Sequence, residues 1–353
     1  MNKKIGLIII ATISFQWQLL HAQSIKLDSL ENKVSLYKAN DTVKVNLYVE
    51  IAFEAFGNQP EKTLQYATLT AELSAKLNYT KGEAESNWLL GLYYEKPQKK
   101  LALDYFLKAL QIARNSKNRT LEAKYSNSLG MIYRGLADKE KAEENLLHAI
   151  KLAKETNDRL AVAKYELNYA TFIRVHGKNE EALAILTRNI KVFEEFNDIK
   201  LLGACYNSIG ATNLTLGNLT FALEYYLKSL KIRETLNDKI GITVGLVNIS
   251  AVYRLQSENQ KSLDVLLRAL KIAEELNDMQ WIPVILEKIG ITYTQMNLPK
   301  KALEYLNRSL VIAEKLGDKY KIMNANESIG DVLELQKLYE KAIFHYEKAL
   351  QKA

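Results

Sequence analysis

Residues 290–306 read GITYTQMNLPKKALEYL, and this stretch decides the fold because its pattern returns along the chain. Residues 130–146, GMIYRGLADKEKAEENL, have the same small first residue, the same aromatic residue three positions later and the same later alanine. Such self-similarity is typical of helical repeat arrays. We define the small residue that opens each second helix as an anchor, and the eight anchors are Thr63, Ala102, Ala142, Ala182, Ala222, Ser262, Ala302 and Ala342. From the second anchor onward each step is 40 residues, whereas the first step is 39.

Apolar side chains follow each anchor at a helical spacing. Large residues stand four positions after it at Phe106, Leu146, Leu186, Tyr226, Leu266, Leu306 and Tyr346. Others stand eight positions after it at Leu110, Ile150, Ile190, Leu230, Leu270, Leu310 and Leu350. This spacing places them on one face of an amphipathic helix. Small residues occur twelve positions before an anchor, at Gly130, Ala170, Gly210, Ser250, Gly290 and Gly330, which predicts a first helix that closely crosses the second.

The joints between repeats have their own chemistry. Asn157-Asp158 and Gly317-Asp318 are two of five such pairs that close a repeat. Asn or Gly tolerates the left-handed conformation that ends a helix, and the following Asp caps the next helix. Pro283 falls inside a predicted first helix, so we expect that helix either to start late or to kink.

The residues Gly130, Tyr133, Ala142 and Leu146, and their counterparts at 290–306, resemble the tetratricopeptide repeat. The resemblance covers about eight repeats within residues 41–353. It implies an all-α, right-handed superhelical solenoid of about eight antiparallel helix pairs, preceded by a lead-in helix at 23–40. The usual period of this family is about 34 residues, so the present repeats look like the extended variety. Helix endings such as AEKLGD at 313–318 resemble the sensory arrays of bacterial signalling proteins.

The first 22 residues are interpreted as a secretory signal peptide. A short basic start, MNKK, precedes the apolar run Ile5 to Phe15, and Ala22 offers a small residue for cleavage. We therefore expect an exported protein, in the periplasm or secreted. An uncleaved anchor is the alternative, although the run is shorter than the roughly 20 residues of a membrane span. No span is expected after the signal is removed.

Composition argues against several classes of function. The formal net charge is +7, but Lys and Glu are mixed along the chain and no dense basic run occurs, so nucleic acid is not an expected partner. Cys205 is the single cysteine and lies in an apolar stretch, which favours a buried hydrophobe over a catalytic thiol. The four histidines have no spacing that suits a metal. We predict no enzyme activity, no metal and no cofactor.

One face of each predicted first helix is sampled 18, 15, 11 and 8 positions before the anchor, and we expect it to line a concave groove. Its charge is graded: basic in the third and fourth repeats, apolar in the middle, acidic at the end. The candidate ligand-binding residues are Lys124, Asn127, Arg134, Lys164, Arg174, Asn207, Arg254, Glu287, Glu327, Asp331 and Glu334. A solvated helix face with chance clustering of charge is the alternative interpretation.

Two functions remain open on this basis. The first is an exported scaffold that binds an extended polypeptide in the groove, an acidic portion meeting the arginines and lysines. The second is a sensory or regulatory array whose output module is absent or on another chain. The apolar residues Ile343, Tyr346 and Leu350 also predict self-association through the C-terminal edge.

Overall fold

The computed structural model describes residues 26–57 and 59–351, and every regular element in these ranges is a helix. Helix α1 covers 26–36. Helices α2 to α17 are Thr42–Ala55, Pro60–Leu77, Thr80–Tyr94, Lys99–Asn115, Arg119–Gly135, Lys139–Glu155, Arg159–Val175, Asn179–Glu195, Ile199–Thr215, Leu219–Thr235, Lys239–Leu255, Asn259–Glu275, Ile282–Gln295, Pro299–Leu316, Lys319–Leu335 and Tyr339–Leu350. The prediction of an all-α chain of eight helix pairs is confirmed.

The chain divides into two compact units, Met1–Asn197 and Asp198–Ala353. The first unit contains the pairs α2–α3, α4–α5, α6–α7 and α8–α9, with α1 packed ahead of them. The second contains α10–α11, α12–α13, α14–α15 and α16–α17. In each pair the second helix carries the anchor near its start, and it packs directly against the first helix.

In five of the eight pairs a large side chain fits closely against a glycine of the partner helix. The backbone at Gly290 lies so close to Leu306 that a Cβ built there would stand 2.5 Å from the leucine Cγ. The same relation joins Gly130 to Leu146 at 2.6 Å and Gly330 to Tyr346 Cε1 at 2.5 Å. These are the residues twelve before and four after an anchor, so the sequence spacing correctly predicted the helix crossing.

The anchors are buried throughout: Thr63, Ala102, Ala142, Ala182, Ala222, Ser262, Ala302 and Ala342 are at most 2% exposed. The large residues four positions later are buried from Phe106 to Leu306. Leu350 in α17 differs, being 77% exposed, whereas Leu270 at the corresponding position of α13 is 7% exposed. Within a unit, the apolar residues that follow the anchor of one repeat are covered by the next repeat. No described helix follows α17.

The predicted joints are confirmed by the backbone. Asn157 has φ 54° and Gly317 has φ 64°, both in the left-handed region. The carboxylates that follow accept hydrogen bonds from the next helix: Asp158 from the Ala161 N–H and Asp318 from the Lys321 N–H. Pro283 lies in the first turn of α14, which begins at Ile282, so the helix starts late and is not kinked.

Two sequence expectations concern the N-terminal region. The signal peptide at 1–22 lies outside the described residues, as do positions 23–25 of the lead-in segment. The described part of that segment forms α1, whose Leu27 and Leu30 pack on Ile51 and Ala55 of α2. No helix within 26–57 or 59–351 is both long and apolar enough to cross a membrane.

The helix crossing predicts opposite outcomes for two glycines. Gly290→Ala is expected to lower the free energy of unfolding by about 1–3 kcal/mol, because the new Cβ would overlap Leu306 and also stand 3.2 Å from the Ala302 carbonyl. In Gly245→Ala in α12 the new Cβ meets nothing closer than Leu230 Cδ1, at 3.6 Å. Because alanine has a higher helix propensity than glycine, this substitution is expected to raise the free energy of unfolding by up to about 1 kcal/mol. Urea unfolding followed by far-UV circular dichroism measures both. Midpoints that shift in the same direction would contradict this packing.

Candidate functional site

The first unit has a hollow of about 280 Å³ between its first helices. Side chains from α2, α4, α6 and α8 and the α2 C-cap surround it, with Phe106 of α5 at its floor. Its lining consists of Phe53, Phe56, Trp88, Leu92, Glu95, Phe106, Lys124, Asn127, Ser128, Met131, Lys164 and Tyr165. We call this the first-unit hollow. It contains three of the sequence-predicted residues, namely Lys124, Asn127 and Lys164.

Trp88 lines the hollow and is held there by three contacts. Its indole Nε1–H donates to Ser128 Oγ at 2.9 Å, and its ring stacks on Phe53 with centroids 5.5 Å apart. The ammonium of Lys124 lies over the ring, 3.4 Å from its centroid, which is a cation–π contact. Trp88 is buried, whereas Phe53 and Phe56 are 50% and 38% exposed. The apolar surface offered to a partner therefore comes mainly from the two phenylalanines.

Lys124 already has a carboxylate partner. Its Nζ lies 2.6 Å from Glu85 Oε2, and both side chains are largely covered. Burial lowers the pKa of Lys124, and the Glu85 carboxylate opposes that shift. A paired, partly desolvated ammonium shapes the wall more than it attracts a distant anion. The structure therefore assigns Lys124 a supporting position in the hollow.

The two predicted asparagines also bridge neighbouring first helices. Asn127 Oδ1 accepts from Asn168 Nδ2 at 2.9 Å in the first unit. Asn207 Oδ1 accepts from Asn248 Nδ2 at 2.9 Å in the second. In each pair the carbonyl oxygen is used between helices.

Arg134 and Arg174 occupy the same register in the last turns of α6 and α8, and both are half-buried. Burial lowers the pKa of Arg134; nearby Glu95 opposes the shift, whereas the charge of Arg174 adds to it. The Nε of Arg174 is buried without a hydrogen-bond partner. No carboxylate within the described residues lies at ion-pair distance from either guanidinium. The charges of these two arginines are therefore not taken up by an ion pair in the described ranges.

Glu95 connects the arginines to the hollow. It caps the C-terminal end of α4, lines the hollow and is half-buried. Burial raises the pKa of Glu95, and the positive charges of Arg134, Lys96 and Lys99 oppose that shift. The Arg134 guanidinium is thus close enough to the hollow to influence a group on its rim.

The remaining candidates belong to the second unit and have different surroundings. Arg254 is half-buried in α12, and the buried Glu287 pairs with Lys288 at 3.0 Å. The Tyr346 hydroxyl contacts Asp331 and Glu334, each at 2.8 Å, and Glu327 is exposed. The structure brings the basic candidates of the third and fourth repeats to one wall of the first unit. The acidic candidates are located in the second unit.

Sequence reasoning missed the contribution of the second repeat. Gly91 packs on Phe106 as Gly130 packs on Leu146, so 91 and 130 are equivalent although they are 39 residues apart. With that alignment, the face of α6 sampled at 124, 127, 131 and 134 corresponds in α4 to Glu85, Trp88, Leu92 and Glu95. Three of these line the hollow and Glu85 pairs with Lys124. The step of 39 residues between the anchors Thr63 and Ala102 was the sequence signal that could have located these α4 residues.

A larger depression of about 530 Å³ lies against α7, α8 and α9. Its buried Glu166 pairs with Arg188 at 2.8 Å and with Lys154 at 3.8 Å, and Arg159 pairs with Glu195. These charges satisfy one another, so this depression offers less to a charged ligand than the arginine pair does. We therefore take the first-unit hollow as the candidate site.

Reactive chemistry is poorly supported in the described residues. Cys205 is buried, and that burial raises the pKa of its thiol to about 12, so the nucleophilic thiolate is scarce at neutral pH. Within 26–57 and 59–351, no three His, Cys, Asp or Glu residues come together as a metal site.

Family models place this architecture among known proteins. The tetratricopeptide repeat matches residues 82–155, 242–315 and 281–353, which together exceed half of the chain, and a second model of the same description matches 202–239. The chain belongs to the tetratricopeptide repeat family. This fold is typical of scaffolds and regulators. A search of the curated proteins returns no significant match.

Solved structures of similar fold include regulatory proteins. A Rap protein complexed with Competence and Sporulation Factor has a TM-score of 0.68 over 98% of this chain and 97% of its own, at 14% identity. The apo form of the quorum sensor NprR from B. thuringiensis gives 0.68 over 99% of both chains, at 13% identity. A STAND protein with a tetratricopeptide repeat sensor, from Pyrococcus horikoshii, gives 0.61 over 92% of this chain and 51% of its own, at 14% identity. At these identities the likeness concerns the fold.

Proposed function

We propose that this protein is a non-enzymatic binding protein whose first-unit hollow receives an extended segment of a partner polypeptide. The observation that carries the proposal is the hollow itself, with half-exposed Phe53 and Phe56 beside basic side chains. Its volume of about 280 Å³ is below the ~300–1,000 Å³ typical of pockets that enclose a whole small ligand. The hollow is better suited to a single side chain of a partner polypeptide.

The scaffold is supported by the family and by the fixed geometry of the wall. Stacked first helices provide the extended surfaces that repeat proteins use for binding. Trp88 is held by Ser128, Phe53 and Lys124, so the wall needs little ordering when a partner arrives. The similar Rap structure is a complex with Competence and Sporulation Factor, which favours a regulatory array that reads an occupant as the second candidate. Both candidates require a ligand on this wall.

Selection from a random peptide-display library, followed by fluorescence anisotropy of the enriched peptides, tests the site. Phe53→Ser with Leu92→Ser is expected to weaken binding by about tenfold to a hundredfold, because central apolar contacts carry most interface energy. The matched control is Phe221→Ser, which removes a 56% exposed phenylalanine from α11. Failure to enrich any peptide, or equal affinities for the double variant and the native protein, would contradict the proposed function. Circular dichroism confirms that each variant is folded.

Export belongs to the same proposal, on the strength of the basic start and apolar run in residues 1–22. The protein is expected in the periplasm, or secreted, with Gln23 as its first residue. Cell fractionation and N-terminal sequencing of the recovered protein measure this. A protein that still begins at Met1 in the cytoplasmic fraction would show the interpretation to be wrong.

We further propose that a second copy of the chain covers the exposed face of α17. Ile343, Phe344 and Leu350 are 55%, 53% and 77% exposed on this one short helix, and together they offer an apolar surface. Glu340-Lys341 and Glu347-Lys348 recur seven residues apart, so two antiparallel α17 helices would oppose unlike charges.

Light scattering over a dilution series tests the α17 pairing. The apparent mass is expected to fall from dimer to monomer on dilution, and Ile343→Asp is expected to give the monomer throughout, because a charge would be buried in the apolar contact. Exposed Val311→Asp on α15 is the control. A native protein that is monomeric at every concentration rules the pairing out.

A further inference from the structure

The arginine pair at the end of the first-unit hollow is the feature that the fold alone does not explain. One arginine in the last turn of a helix complements the helix dipole, and Arg254 in α12 is such a case. Arg134 and Arg174 instead stand at equivalent positions in the last turns of α6 and α8, and the charge of Arg174 adds to the lowering of the Arg134 pKa. Holding two half-buried guanidinium groups together is unfavourable unless an anion compensates.

Their hydrogen-bonding capacity is also incompletely used. The Nε of Arg174 is buried and donates to no group in the described ranges. A buried donor without an acceptor costs free energy, which a bound anion would recover. A carboxylate matches the arginine fork because it can accept two hydrogen bonds at once.

The position of the pair relative to the hollow defines the spacing of a ligand. Met131 lines the hollow, and Arg134 follows it by three residues, or about 4.5 Å along α6. An extended chain advances about 3.3 Å per residue, and its side chains share a face at every second residue. For a ligand segment that runs along α6, side chains two residues apart are therefore about 6.6 Å apart, within the additional reach of an arginine.

From these observations we propose that the ligand segment carries a bulky apolar residue and an acidic residue two positions apart. The apolar side chain enters the hollow beside Phe53, Leu92 and Met131, and the acidic side chain lies between Arg134 and Arg174. This assignment rests on the proposed function and names the ligand class. An engineered cavity of about 150 Å³ already admits benzene, so a hollow of about 280 Å³ is wide enough for an aromatic side chain.

Charge complementarity favours a separate polypeptide as the occupant. The apolar N-terminal segment of the same chain, residues 1–25, contains Lys3 and Lys4 but no Asp or Glu. It could fill the hollow but could not supply the carboxylate. Glu95, the acidic group already on the rim, makes no ion pair with either arginine among the described residues, so an acid from a separate polypeptide could pair with them.

The test compares peptide selections on the native protein and on the Arg134→Gln/Arg174→Gln variant. Glutamine keeps a polar side chain but removes the charge. Native protein is expected to enrich sequences with Phe, Leu or Trp two positions from Asp or Glu. The double variant is expected to keep the apolar preference and lose the acidic one. Arg268→Gln, which removes an exposed arginine charge from α13 of the second unit, is the control and should select as the native protein does.

Anisotropy measurements then separate the two parts of the ligand. In a representative enriched peptide, Asp→Asn and Phe→Ala are each expected to weaken binding to native protein on the order of tenfold, and moving the Asp four residues away should act like Asp→Asn. On the double variant, the Asp and Asn peptides should bind within about twofold of each other, since the charge partner is gone.

Two negative results have different meanings. Peptides that need Phe53 and Leu92 but bind equally with Asp or Asn would overturn this inference and leave the proposed function standing. Peptides that are indifferent to Phe53 and Leu92, or the absence of any enriched peptide, would overturn both. An acid preference that survives in the double variant would place the carboxylate elsewhere and also overturn the inference.

Discussion

Everything in this molecule depends on how closely a large side chain packs against a small residue on the partner helix. Leu306 against Gly290 and Leu146 against Gly130 leave no room for even a methyl group on the glycine side. This contact brings the backbones of the pair together and buries the anchor between them. Because the relation recurs in five of the eight pairs, it also determines which face of those first helices remains outside the pair's own core.

The candidate site follows from that remaining face. Within the first unit, α4 and α6 lie side by side with residues 39 positions apart in equivalent places, so Glu85 meets Lys124. The Trp88 ring is then fixed between Lys124 and Phe53. The hollow is thus a consequence of helix register and not of a dedicated loop. A wall whose side chains are already held by such contacts loses little conformational entropy on binding.

Electrostatic pairing distinguishes residues that resemble one another in the sequence. Lys124 and Arg134 lie on the same face of α6, yet the first is neutralised by Glu85 and the second has no carboxylate at ion-pair distance in the described part of the chain. Glu166 and Arg188 show the same satisfaction of charge on α8 and α9. Buried pairs of this kind organise the wall, whereas half-buried cations without an ion pair would, in the proposed function, attract an anionic group.

The sequence by itself determined the repeat, its anchors, its caps and the late start of α14, because each of these rests on local chemistry or on spacing along one helix. It also identified the face that carries Asn127, Met131 and Arg134. Only the tertiary structure decided which of the candidate charges are already paired. It also decided that Phe53, Trp88 and Leu92 line the first-unit hollow. The physical reason is that ion pairs and hollows depend on the register between helices, and a one-residue difference between the second and third repeats changes which side chains meet.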